Sequence, residues 1–76
     1  MMSRPAINAV AISIENAIRM SNLLDEPKYI GDLAHAIGYY GNRQTLRVLD
    51  VVRHLVRDGY LKEVDGEYGY KKYARA

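Results

Sequence analysis

The sequence predicts a mainly helical fold with a small β-hairpin: three helices followed by a two- or three-stranded sheet. Three observations carry this. Apolar residues recur at helical spacing over 7–18 and again over 45–56, glycines stand where the second and third helices must end, and Asp65-Gly66 divides two short strand-like runs.

The 76 residues allow one domain, taken as 1–76, with a modest core. A chain this short buries only about 60% of the surface it exposes when unfolded. With no cysteine, neither a disulfide framework nor a zinc–thiolate site can compensate for the small core, which leaves helix packing or self-association. A reducing, cytoplasmic setting fits that composition. Arg4, Pro5, Asn8, Ser13, Glu15 and Asn16 interrupt any apolar run long enough to cross a membrane or to act as a leader. Net charge is +2, a mild bias, but it is unevenly spread. Residues 1–38 carry three basic and four acidic side chains, and residues 39–76 carry eight and five.

The first helix is expected over 4–22, with Ser3 as its cap and Pro5 in a first turn where a missing N–H costs nothing. Ile7, Val10, Ala11, Ile14 and Ile18 form one apolar stripe that must be covered. Ile12 lies nearly opposite that stripe, as a lone surface residue or, with Ala9, as the edge of a dimer contact. Turn-forming residues from Asn22 to Pro27 end the helix. Tyr29 and Ile30 suit a very short strand, and a second helix follows over 31–37, stopped by Gly38 in the left-handed conformation. After a turn from Tyr39 to Asn42, with Asn42 as the expected cap, a third helix covers 43–58. Thr45, Val48, Leu49, Val52, Leu55 and Val56 share its apolar face, and Arg43, Arg47, Asp50, His54 and Arg57 lie opposite, with Leu46 and Val51 on the flanks.

Gly59 ends that helix, and a hairpin is expected over 60–73. Asp65-Gly66 suits a two-residue type I′ turn, which would set Val64 against Glu67, Glu63 against Tyr68, Lys62 against Gly69 and Leu61 against Tyr70. Leu61 and Tyr70 would then pack onto the helices.

The order of these elements over 29–73, together with the stretch LVRDGYLKEVDGEYGY, resembles the winged helix-turn-helix superfamily of DNA-binding domains. The resemblance implies a small stand-alone DNA-binding protein, a transcriptional regulator, whose 43–58 helix lies in the major groove of duplex DNA. Arg43 and Arg47 are then the base-reading candidates, since an arginine fork takes both guanine acceptors or clamps phosphates, and Gln44 can read adenine if it faces outward. Lys62, Lys71 and Lys72 would hold phosphates from the wing. Tyr40 can reach a phosphate from the turn before the helix. The full set nominated for DNA contact is Tyr40, Asn42, Arg43, Gln44, Arg47, His54, Lys62, Lys71 and Lys72. A homodimer through the first helix would let two such helices meet two half-sites.

Plainer explanations stand beside these. An arginine-rich face also solvates a surface helix, and Asp50 can pair with Arg47, Arg53 or His54. Glu63, Asp65 and Glu67 surround the hairpin tip and would repel a phosphate there. Winged helices also serve as protein-interaction modules in larger assemblies, the alternative function. The seven tyrosines are the only aromatics, and Tyr29, Tyr60 and Tyr70 are expected to pack against the core. His35 and His54 lie on separate helices without cysteines, so no metal site is expected, and no cofactor is implied. No nucleophile–base pair, phosphate-binding glycine loop or carboxylate pair points to catalysis or to a small-molecule substrate.

Overall fold

The computed structural model describes residues 5–76, with side chains from Ala9 onward. Ser3, the expected cap, and Arg4 lie outside the described residues, as do the side chains of Ile7 and Asn8. Helix α1 spans Pro5–Met20, strand β1 Lys28–Tyr29, helix α2 Ile30–Ala36, helix α3 Asn42–Arg57, strand β2 Leu61–Asp65 and strand β3 Lys71–Arg75. Short 3₁₀ turns occupy Leu23–Asp25 and Glu67–Gly69. The result is three helices against a three-stranded antiparallel sheet ordered β1-β3-β2.

The apolar stripe of α1 is buried as its spacing requires: Ile14 and Ile18 are enclosed, with Val10 and Ala11 half-buried against them. The helix stops at Met20, earlier than expected, because the Ser21 side chain intervenes. Its Oγ donates to the Ile18 carbonyl at 3.2 Å and accepts the Leu23 N–H at 3.4 Å, which starts the 3₁₀ turn that buries Leu24. Leu33 and Ala34 from α2, Val48, Val51, Val52 and Leu55 from α3, and Leu61 and Tyr73 from the sheet complete the core. Burial of each large aliphatic side chain stabilises by about 1.5–3 kcal/mol.

Helices α2 and α3 end in the same way. At α2, Gly38 N–H reaches His35 O at 3.1 Å and Tyr39 N–H reaches Ala34 O at 2.8 Å. At α3, Gly59 N–H reaches Val56 O at 3.0 Å and Tyr60 N–H reaches Leu55 O at 2.9 Å. Both glycines have φ near +90°, at 90° and 87°, where a side chain would be strained. Tyr39 and Tyr60 then fold back onto the core. The start of α3 differs from expectation. Asn42 is the first helical residue rather than the cap, Gly41 takes the cap position at φ 89°, and no side chain caps the helix. Thr45 Oγ1 instead donates to the Gly41 carbonyl at 2.9 Å.

The hairpin departs furthest from the sequence pattern. Leu61 pairs with Arg75, Lys62 with Ala74, Glu63 with Tyr73, Val64 with Lys72 and Asp65 with Lys71. The expected pairing of Leu61 with Tyr70 is therefore off by five positions. An odd slip exchanges the two faces of the second strand, so Tyr73 is buried at 5% exposure while Tyr70 stands 68% exposed. The turn is a five-residue loop, Gly66–Tyr70, and not a two-residue type I′ turn. Gly66 N–H reaches Tyr70 O at 2.8 Å, and Tyr70 N–H reaches Glu67 O at 3.0 Å. Gly66 has φ −111°, so its conformation does not demand glycine. Space does: a Cβ there would lie 2.6 Å from Tyr29 Cε1. The competing register wins because β3 must also pair with β1, Lys28 against Tyr73 and Tyr29 against Lys72. No helix among the described residues is long and apolar enough to cross a membrane.

Candidate nucleic-acid interface

Helix α3 sits against both other helices and β2, leaving one face open to solvent. At about 100° per residue, Asp50 lies at the centre of that open arc, with Arg43 and Arg57 about 20° to either side. Arg47 and His54 flank it toward α1, where they line a shallow groove of about 420 Å³ with Val10, Ala11 and Ile14. Leu46 and Arg53 flank it on the other side, toward the sheet. All of these open-face residues are exposed.

The ion pairs among the described residues are Arg19–Glu15 at 2.7 Å, Lys71–Asp65 at 2.6 Å and Arg75–Asp25 at 3.0 Å. Asp50 pairs with none of Arg47, Arg53 and His54, its three expected partners within the helix. Arg43, Arg47, Arg53 and Arg57 therefore present four guanidinium groups without an ion-pair partner among the described residues, around a single carboxylate. Each offers up to five N–H donors in a planar fork suited to phosphate or to a guanine edge. Arg53 and Arg57 belong to this face as fully as Arg43 and Arg47, yet they are absent from the residues nominated from sequence. The signal was present in the helical period. In the sequence pattern Arg53 enters only as a partner for Asp50.

The other nominated residues are dispersed. Gln44 is exposed in the first turn of α3 but points about 120° away from Asp50, off the arginine face. Asn42 is exposed at the helix start. Tyr40 is exposed in the preceding turn, its ring edge-on to that of His35 with centroids 4.8 Å apart.

The three wing lysines do not form a patch. Lys71 is held by Asp65, across the last pair of the hairpin. Its hydrogen bond and charge hold the Asp65 carboxyl below the usual carboxylate value, and Asp65 in turn raises the Lys71 ammonium. That pair loosens only as pH falls through the lowered carboxyl value or rises through the raised ammonium value, so it persists through neutrality. Lys72 lies on the opposite face of β3 with its Nζ 4.9 Å above the Tyr29 ring. Lys62 shares that second face, from β2. Lys62, Lys71, Lys72 and Arg75 stand against Glu63, Asp65 and Glu67, a net charge of only +1 for the hairpin, and Arg75 is paired with Asp25 outside it.

Among the described residues, no group of three or more His, Cys, Asp or Glu side chains is placed to hold a metal ion. No family model, no curated protein and no solved structure matches this chain, and the interface has to be judged on its own chemistry.

Proposed function

We propose that this chain is a winged-helix DNA-binding protein that engages duplex DNA through the open face of α3 and acts as a transcriptional regulator, without catalytic activity. The observation that carries the proposal is the set of four arginines lacking ion-pair partners on one exposed helix face. A helix of this width fits the major groove, and the order helix, helix, hairpin places a wing beside it. Arg43 and Arg47, in the first half of the helix, are the base-reading residues. Arg53 and Arg57, in the second half, hold phosphates. The nominated wing lysines have a smaller part, because Lys71 is already neutralised by Asp65.

Titration against random duplex DNA at low and moderate salt tests this. Each neutralised phosphate steepens the fall of log K with log salt by about 0.9, so the two phosphate-holding arginines alone predict a slope of about −2. Arg47→Ala is expected to cost about 1–3 kcal/mol of discrimination between sequences, and Arg53→Ala to weaken all sequences alike while reducing the salt slope by about 1. Negligible affinity at low salt, or affinity indifferent to salt, sinks the proposal in favour of a protein-interaction module. The weakly charged wing and its exposed tyrosines are what favour that second reading.

A further inference from the structure

The loop that closes the hairpin displays two tyrosines that the fold does not use. Tyr68 is 93% exposed and Tyr70 68%. Tyr68 also has φ 57°, the only positive φ outside glycine among the described residues. A bulky aromatic side chain in this region is strained, and glycine or asparagine would adopt it at less cost. The strain is tolerated in a loop stitched at three points: Gly66 N–H to Tyr70 O, Tyr70 N–H to Glu67 O, and Glu67 N–H to Tyr29 Oη at 2.8 Å. Nothing in the core depends on the Tyr68 ring.

Beside this loop lies an open groove of about 580 Å³ between the wing, the start of α2 and α3. Tyr29, Tyr68, Tyr70 and Tyr73 line it, with Leu49 from α3. Its size suits one planar group of small-molecule scale and excludes a double helix. Arg53 is on the flank of α3 that faces the sheet, and its positive charge reaches the Tyr73 phenol. Glu67 and Lys71 also line it, and Lys71 is paired with Asp65, so the groove offers a phosphate no unpaired cation among its lining residues. It offers π-faces, and the arginine face beside it supplies the charge a nucleic-acid backbone needs.

We infer that the tyrosine-lined groove between the wing loop and α3 is a stacking site for an unpaired nucleobase. Within a continuous duplex both faces of each base are covered by its neighbours, whereas an unpaired base exposes a π-face that tyrosine can stack upon. Tyr68 and Tyr70 are the stacking residues, and the α3 arginines hold the adjoining backbone. The inference rests on the DNA-binding reading given above and extends it from plain duplex to junctions, ends and opened strands.

The test compares a blunt duplex with the same duplex carrying a short single-stranded extension. Stacking of one base predicts about tenfold tighter binding of the extended DNA. Tyr68→Ala and Tyr70→Ala should each abolish most of that gain while leaving blunt-duplex affinity and its salt slope unchanged, and Tyr68→Trp should restore it. Tyr68→Gly removes the ring and relieves the strained backbone, so it should fold with an undiminished melting temperature and lose the same gain. Equal affinity of the parent protein for both DNAs overturns the stacking site and leaves the duplex reading intact. Failure of both DNAs to bind at low salt overturns the two together. Chemical-shift changes at Tyr68 and Tyr70 on adding a polyproline peptide, with none on adding a single-stranded oligonucleotide, overturn the inference in favour of a protein partner.

Discussion

Tyr29 holds the wing loop from outside the hairpin. Its hydroxyl accepts the Glu67 N–H at 2.8 Å, and its ring fills the space beside Gly66 that a side chain would need. Lys72 Nζ lies over the ring, 4.9 Å from its centroid. Tyr29→Phe removes the acceptor and keeps the packing, so it is expected to cost about 0.5–1.5 kcal/mol in denaturant unfolding. Gly66→Ala forces the ring or the loop to move and should cost at least as much, since the neighbours at 2.8 and 2.9 Å are the Tyr29 hydroxyl and the Tyr70 backbone oxygen. If Tyr29→Phe unfolds at the parent's midpoint, the latch does not hold the loop. Gly66 is also the residue most easily misjudged from sequence: Asp65-Gly66 reads as a positive-φ turn, but the reason for glycine is a ring contributed from 37 positions earlier in the chain.

Helix α3 is the element most completely specified by local sequence. Its apolar period buries Val48, Val52 and Leu55, as expected, and also Val51, which the pattern placed on a flank and which α1 covers. Its end is fixed by the pair of bonds at Gly59 and Tyr60. Gly59→Ala must hold φ near 87° with a Cβ and is expected to cost about 1–2 kcal/mol, measurable as a lower unfolding midpoint with an unchanged denaturant slope. An unchanged midpoint would mean that the helix can end without the left-handed residue. The hairpin is the opposite case. Its strands lie in the expected part of the chain, but period-two alternation in short tyrosine-rich runs permits more than one register, and a slip of five residues turns Tyr70 outward and Tyr73 inward. The arginines of α3 share a face because of the helical period, whereas Lys71 and Lys72, adjacent in sequence, lie on opposite faces of the sheet.

Over the whole molecule, charge and apolar surface are segregated. The open face of α3 is basic, the hairpin carries a net charge of only +1, and the outer face of α1 carries Ala9, Ile12, Ser13, Asn16 and Met20, with Arg19, paired to Glu15, about 20° from Ile12. Ile12 is 56% exposed and Met20 88%. A homodimer of the kind proposed for a small regulator would meet through Ile12 and Met20 on this face, with the Arg19–Glu15 pair at its edge. Ile12→Glu should then shift a dimer to monomer in sedimentation equilibrium and weaken binding to a two-half-site DNA far more than to a single half-site. A parent protein that remains monomeric at high concentration removes that expectation. The sequence by itself determined what depends on neighbours three or four residues apart: the three helices, the glycine stops of α2 and α3, the buried stripes and the arginine-rich face of α3. Only the tertiary structure decided the register of β3, the role of Gly66, the pairing of Lys71 and the exposure of Tyr68 and Tyr70. These follow from β3 lying between β1 and β2, and the partner that sets its register, β1, is more than 40 residues away along the chain and leaves no periodic trace in it.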